Sequence, residues 1–98
     1  MTNQATVVAD LLSHAMERGY LLLDEAELPA DFFKLNTGLA GDLLQKFVNY
    51  QLPLAIVVQD ATLYGDRFNE LVREHRGHSR VRFFADQESA ASWLSAQR

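Results

Sequence analysis

A run of five consecutive apolar residues, 54–58, constrains the fold of this chain more than any other feature. A continuous apolar run of this length is typical of a strand that is buried on both faces of a parallel sheet. Residues 20–23 and 81–85 are two further short, mainly apolar runs, and stretches with helical periodicity separate all three. Because strands that alternate with helices form βαβ units, the sequence predicts a parallel three-stranded sheet.

The helical stretches repeat apolar residues at spacings of three and four positions, which is typical of amphipathic helices. The predicted helices cover residues 5–18, a short segment from Pro29, residues 39–50, residues 64–75 and a last stretch that Asp86 caps. Gly19 is predicted to end the first helix, and either Asn36 or Thr37 to cap the helix that begins at Leu39. The expected fold is α/β, with one domain over residues 1–98, flanking helices and the order α-β-α-β-α-β-α.

Composition excludes several classes of protein and of site. The chain of 98 residues contains no cysteine, so disulfides, thiol catalysis and cysteine-ligated zinc are excluded. Its formal net charge is -4, whereas proteins that coat nucleic acid are usually basic, so we do not expect nucleic acid as a partner. The apolar runs are too short to span a bilayer, and the polar start at residues 1–4 does not resemble a signal peptide. We therefore expect a cytoplasmic protein that does not enter a membrane.

No arrangement of residues in the sequence points to catalysis. His14, His75 and His78 lack the spacing that places two metal ligands on one helix face, so neither a metal nor another cofactor is expected. The sequence also lacks the Gly-x-Ser-x-Gly motif of a nucleophile elbow and the Gly-Lys-Ser/Thr end of a phosphate-binding loop. We therefore expect a protein that is not an enzyme.

A first candidate site lies at Thr37, Gly38 and Gly41, where the helix over residues 39–50 begins. Free backbone N–H groups and the helix dipole at such a position favour a bound phosphate, or a phosphate carried by Thr37 itself. The structural alternative is that Thr37 is an N-cap and that the two glycines allow close packing against a neighbouring segment. The sequence leaves both interpretations open.

A second candidate is a polar surface on the same helix. Gln45 and Asn49 are four residues apart, as are Lys46 and Tyr50, so each pair is stacked on successive turns. These side chains form either a recognition surface or the end of the helix before the turn at Pro53. The residue types alone do not distinguish the two interpretations.

A third candidate is the densest basic segment of the chain, which contrasts with its acidic remainder. The segment consists of Arg73, His75, Arg76, His78, Arg80 and Arg82. One interpretation is that it receives a phosphate, a nucleic acid or an acidic surface of a partner. The other is that its cations complement a helix C-terminus and keep an edge strand from pairing.

Residues 31–50 read D-F-F-K-L-N-T-G-L-A-G-D-L-L-Q-K-F-V-N-Y. This stretch resembles the core signature of a bacterial domain-of-unknown-function family, the one numbered 4180, whose pattern is D-F-F-x-L-x-T-x-x-A-G-x-x-x-Q-K-F-x-N-Y. The resemblance extends over about residues 5–95. Relatives in that family carry extra residues before the first helix that look like two strands, and we expect these strands to be absent here.

The segment Asn36-Thr37-Gly38-Leu39-Ala40-Gly41 is also similar to a loop of the anti-sigma-factor antagonist (STAS) fold. That resemblance implies a STAS-like domain in which the hydroxyl of Thr37 is a phosphorylation switch for partner binding. We therefore expect a non-catalytic protein-interaction or regulatory module that is switched at Thr37. The alternative is a domain that binds a small ligand or phosphate at the helix start, residues 37–41.

A three-stranded sheet has two open edges, and open edges invite pairing unless charge blocks them. Arg80 and Arg82 flank or interrupt the strand at 81–85, whereas the strand at 20–23 contains no charge. The sequence therefore predicts a homodimer, with contacts through the first helix or the exposed face of the sheet.

Overall fold

Helices and strands alternate along residues 4–97, which are the residues that the computed structural model describes. The elements are α1 Gln4–Arg18, β1 Leu21–Asp24, α2 Leu39–Asn49, β2 Leu54–Val57, α3 Asp66–Glu74, β3 Val81–Phe84 and α4 Gln87–Ala96. Short 3-10 turns at Glu25–Glu27, Ala30–Phe33, Leu35–Thr37 and Ala61–Tyr64 connect them. The predicted order of helices and strands is confirmed.

The three strands form one parallel sheet in the order β1-β2-β3. Leu54 of the central strand is in register with Leu21 on one side and with Val81 on the other. All four residues of β2 are buried, whereas β1 and β3 alternate between buried and half-buried residues. This burial explains why the run at 54–58 is continuously apolar, and it confirms the predicted parallel sheet.

Helices cover the two faces of the sheet unequally. The larger core packs side chains of α1, α2 and α3 on one face, where Phe47, Phe68 and Ile56 are almost completely buried. On the other face, Ala90 and Leu94 of α4 pack against β2, and Trp93 lies at the margin of this smaller cluster. The fold therefore places both crossover helices on the same side of the sheet.

The cap of α2 and the start of α3 differ from their predicted positions, and glycine explains both. Gly38, rather than Asn36 or Thr37, is the N-cap of α2, with a φ of 81° that lies in the left-handed region. Gly65 has a φ of 96° and separates α3 from the preceding 3-10 turn, so the helix does not begin at Tyr64. A side chain at either position would strain the backbone, which is why glycine stands there.

Candidate functional site

The hydroxyl of Thr37 connects three backbone groups at the start of α2. It lies 2.8 Å from the carbonyl oxygens of both Asp31 and Lys34, to which it donates its single proton. It also accepts a hydrogen bond from the N–H of Leu39 at 3.3 Å. The side chain therefore ties the segment before α2 to the first turn of the helix, although Thr37 itself is not the N-cap.

One backbone donor at the start of α2 is already engaged, and a carboxylate lies in the same turn. The N–H of Leu39 is bonded to Thr37, and Asp42 places a carboxylate in the first turn, where it competes with an anion for the helix dipole. Gly41 is exposed, and a Cβ atom built there meets nothing within 4 Å. Close packing against a neighbouring segment, one of the two interpretations, is therefore not seen at Gly41.

The polar surface predicted on α2 is exposed along its whole length. Gln45, Lys46 and Asn49 are exposed, and the side-chain amide of Gln45 donates to Asn49 at 2.9 Å. Tyr50, the C-cap of the helix, exposes 55% of its surface. The structure therefore brings these four residues together on one side of α2, and their role in recognition stays a prediction.

The predicted basic segment divides into residues that hold the loop before β3 and residues that face solvent. His78 Nδ1 accepts hydrogen bonds from the N–H groups of Arg80 and Val81 at 3.0 and 3.1 Å. Arg82 donates from Nε to the carbonyl oxygen of His78 at 2.6 Å, and its guanidinium lies 5.2 Å from the ring centroid of Trp93. His78 and Arg82 therefore stabilise the loop and the second face of the sheet.

The environment of His78 lowers its pKa. Burial disfavours the imidazolium, and the nearby His75 and Arg82 add repulsion. The ring centroids of His75 and His78 are 5.4 Å apart. Nδ1 of His75 lies 2.9 Å from the carbonyl oxygen of Leu71. Because Nδ1 of His78 accepts two hydrogen bonds, the neutral ring fits this geometry and the protonated ring does not.

The remaining arginines of the segment are directed differently. Arg73 is exposed on the last turn of α3, and Arg80 is half-buried before β3. Arg76 is exposed just beyond the C-terminus of α3, where it lines a groove of about 300 Å³ between α3 and the end of β3. We call this cavity the α3–β3 groove.

The α3–β3 groove combines an apolar floor with polar walls. Val58, Val72 and Phe83 contribute apolar surface, and the walls carry Gln59, Asp60, Thr62, Asn69 and Arg76. Asp60 is already engaged, because its carboxylate accepts the N–H of Thr62 at 3.0 Å and also the Thr62 hydroxyl. Arg76 is the one basic residue among the described residues that line the groove, so its guanidinium is the cation that a ligand there would meet.

Hydrogen bonds to Glu25 fix the segment that follows β2, beside this groove. Glu25 accepts a hydrogen bond from the hydroxyl of Tyr64 and another from the N–H of Gln59, at 3.1 Å. The hydrogen bond to Glu25, with burial and the negative charge nearby, raises the pKa of Tyr64. The Tyr64 ring stacks on Phe33, with 4.0 Å between centroids and 15° between planes. These contacts hold the connection between β2 and α3 in place.

Sequence reasoning missed most of the groove. Gln59, Asp60 and Thr62 follow β2, and Asn69 lies on α3, so the residues are separated along the chain and meet only in the fold. One signal was available, because ligands of open α/β sheets bind outside the carboxyl ends of the strands. Applied to the end of the run at 54–58, that rule points to the residues that begin at Gln59.

Within residues 4–97, no three His, Cys, Asp or Glu side chains lie close enough together to hold a metal ion. No helix in the same range combines the length and apolar character needed to cross a membrane.

The fold and the groove define a small α/β protein whose parallel sheet ends, among the described residues, at β1 and β3. The sequence model of one family, Domain of unknown function (DUF4180), matches residues 1–94, so the chain belongs to that family. This match confirms the resemblance inferred from residues 31–50. No curated protein and no solved structure matches the chain, and the similarity to the STAS-like fold stays a prediction.

Proposed function

We propose that this protein is a non-catalytic protein-interaction module with a regulatory role, and that the α3–β3 groove with its rim is the binding surface. The observation that carries the proposal is the exposed guanidinium of Arg76 in a groove with an apolar floor. Leu63, directly after Thr62 of the groove wall, exposes 75% of its surface. A partner that fills the groove would also cover this side chain and remove its apolar surface from water.

The burial pattern supports binding rather than catalysis. Within residues 5–97, no polar or charged side chain is buried. Active sites usually desolvate an acid, a base or a nucleophile to adjust its pKa. Burial lowers the pKa of His78, and the hydrogen bond to Glu25, with burial, raises the pKa of Tyr64. Both groups are engaged in hydrogen bonds that hold loops of the fold, so recognition by an exposed surface is the better supported function.

Thr37 enters the proposal as the candidate for regulation. A phosphate on its hydroxyl would replace the proton donated to the carbonyl oxygens of Asp31 and Lys34. Phe33, which lies between those two residues, stacks on Tyr64 beside the groove. Modification of Thr37 would therefore act on the groove through the segment that carries Phe33.

Site-specific photo-cross-linking in the native cell tests the proposal. A photoreactive amino acid replaces Leu63 on the groove rim or, as a control, the exposed Ala91 of α4. We expect a discrete cross-linked adduct with one partner from position 63 and none from position 91. No discrete adduct from position 63, or the same adduct from both positions, would contradict an interaction surface at the groove.

A further inference from the structure

We propose that the partner is bound as an extended acidic segment, which pairs its backbone with the outer edge of β3 and places a carboxylate on Arg76. The inference rests on the proposed function and specifies its partner class. Addition of a strand to an open sheet edge is a common mode of peptide recognition, in which main-chain hydrogen bonds supply affinity and side-chain contacts supply specificity.

The hydrogen bonds of the sheet show which backbone groups of β3 are directed outward. The N–H of Leu54 donates to the carbonyl oxygen of Arg80, and the N–H of Val58 donates to that of Phe84. In a parallel pair, alternate residues of a strand direct their backbone groups to the same neighbour. Phe83 and Ala85 therefore direct their N–H and C=O groups away from β2, toward the open side of the sheet.

One end of this edge is already closed. Val81 also directs its N–H outward, and the ring of His78 accepts it at 3.1 Å. Among the described residues of this edge, an incoming strand consequently finds free outward N–H groups at Phe83 and Ala85. These residues line the α3–β3 groove, so the open part of the edge and the groove coincide.

The flank of α3 facing the groove determines which side chains the segment carries. Asn69 and Val72 lie on one face of α3, and Arg76 follows at the matching position beyond its end. On the other flank, Leu71 and Glu74 line a different groove against residues 35–36. A segment paired with β3 would thus pass Val72 with its apolar side chains and reach Arg76 with a polar one.

Charge distribution selects an acidic partner. Residues 73–82 contain four of the nine lysines and arginines of the chain but only one of its thirteen acidic residues, Glu74. Arg82 is directed to Trp93 on the second face, while Arg76 has no ion pair among the described interactions. Residues 73–82 carry a formal charge of +3 and the rest of the chain carries -7, so an acidic segment is attracted specifically to this end of α3.

Selection from a displayed library of random ten-residue peptides tests the inference. We expect enriched peptides to alternate apolar residues with at least one Asp or Glu. In backbone NMR spectra, binding should shift the amide signals of Phe83 and Ala85 and slow hydrogen exchange at Phe83. Two peptides methylated on alternate backbone nitrogens, one at the odd and one at the even positions, should differ. The peptide whose methyl groups replace the N–H groups that face β3 should lose binding, and the other should keep it.

A matched pair of variants isolates the role of Arg76. Arg76→Glu should weaken binding of an enriched peptide by about tenfold or more, whereas Arg73→Glu, on the same helix but outside the groove, should change it less than about twofold. Replacement of the peptide's acidic residue by Lys should restore binding to Arg76→Glu. Equal effects of the two variants, or shifts that avoid β3, would overturn the inference.

The remaining outcomes separate this inference from the proposed function. A discrete cross-linked partner at position 63 together with no enriched peptide would overturn pairing at β3 and leave the interaction module standing. Enriched peptides without acidic residues would overturn the acidic segment alone. Absence of both a cross-linked partner and an enriched peptide would overturn both proposals.

Discussion

Thr37 shows how much a single half-buried hydroxyl can contribute to this fold. Removal of the hydroxyl leaves the carbonyl oxygens of Asp31 and Lys34 and the N–H of Leu39 without this partner. We expect Thr37→Val to lower the free energy of unfolding by about 1–2 kcal/mol, and Thr37→Ser to preserve it. Urea titration measures both, with Thr6→Val on the exposed face of α1 as the control. A loss below about 0.5 kcal/mol for Thr37→Val would show that the hydroxyl is dispensable.

The lowered pKa of His78 predicts a pH dependence of stability. Between the folded-state pKa and the ordinary value of 6.5, the unfolded chain binds more protons than the folded chain. Stability is therefore complete above this window and decreases as the pH falls through it, because the protonated ring cannot accept the N–H groups of Arg80 and Val81.

Urea unfolding at about pH 7.5, 6.5 and 5.5 checks this expectation. The decrease in stability toward low pH should be smaller in His78→Asn than in the wild type. His14→Asn, an exposed histidine of α1, serves as the control and should retain the wild-type decrease. Identical pH profiles for the wild type and His78→Asn would contradict the assignment of the effect to His78.

At the scale of elements, β2 is the strand on which the fold depends. Ile56 is completely buried between β1 and β3. We expect Ile56→Ala to lower the free energy of unfolding by about 2–5 kcal/mol, because it removes buried surface and leaves a cavity. Leu63→Ala, at a position that is 75% exposed, should stay within about 0.5 kcal/mol of the wild type. A similar loss in both variants would mean that β2 does not form the core.

The elements that sequence reasoning located well are those whose burial is repetitive. The run at 54–58 is apolar throughout and the stripe of α2 is apolar at helical spacing, because each contacts a continuous core, so the sequence alone revealed both. The 3-10 turns between β1 and α2 have no such period, because single residues such as Phe32 insert into the core from irregular backbone. Helix α3 begins at Asp66 and not at the predicted Tyr64, because Gly65 adopts a positive φ that the apolar spacing does not reveal.

Candidate sites within one helix could be predicted from the sequence, whereas a site built from distant segments could not. The sequence predicted Gln45 and Asn49 as neighbours, and their hydrogen bond agrees, because helical spacing determines which residues are neighbours. It did not reveal the α3–β3 groove, whose walls come from segments that only the crossover brings together. Arg76 was recognised as part of a basic segment, but its separation from His78 and Arg82 required knowledge of which side chains bond to the backbone.

The two edges of the sheet are protected differently. The edge of β3 is closed at its start by His78 and is flanked by Arg80. The edge of β1 contains no charge before Asp24, whose N–H is bonded to Glu27 at 3.2 Å. Since uncharged edges tend to pair, β1 is the edge at which we expect a second copy of the chain.

Pairing at β1 predicts a symmetric dimer. The N–H of Leu21 donates to the carbonyl oxygen of Pro53, so Leu21 and Leu23 face β2 and Leu22 directs its backbone groups outward. A two-fold axis at Leu22 would let two copies exchange both hydrogen bonds of this residue and join their sheets. The β3 edges would then lie at the two ends of the combined sheet, where they stay available to partners.

Sedimentation equilibrium up to about 100 μM, well above the micromolar range of weak specific complexes, measures this association. We expect a mass that rises toward twice the 11.1 kDa of the chain as concentration increases. Leu22→Lys should restore the monomer, because a charge on an edge strand opposes pairing, whereas the control Ala91→Lys on exposed α4 should leave the dimer intact. Circular dichroism establishes that Leu22→Lys is folded. A wild-type mass of 11.1 kDa at every concentration would mean that the monomer protects its own β1 edge.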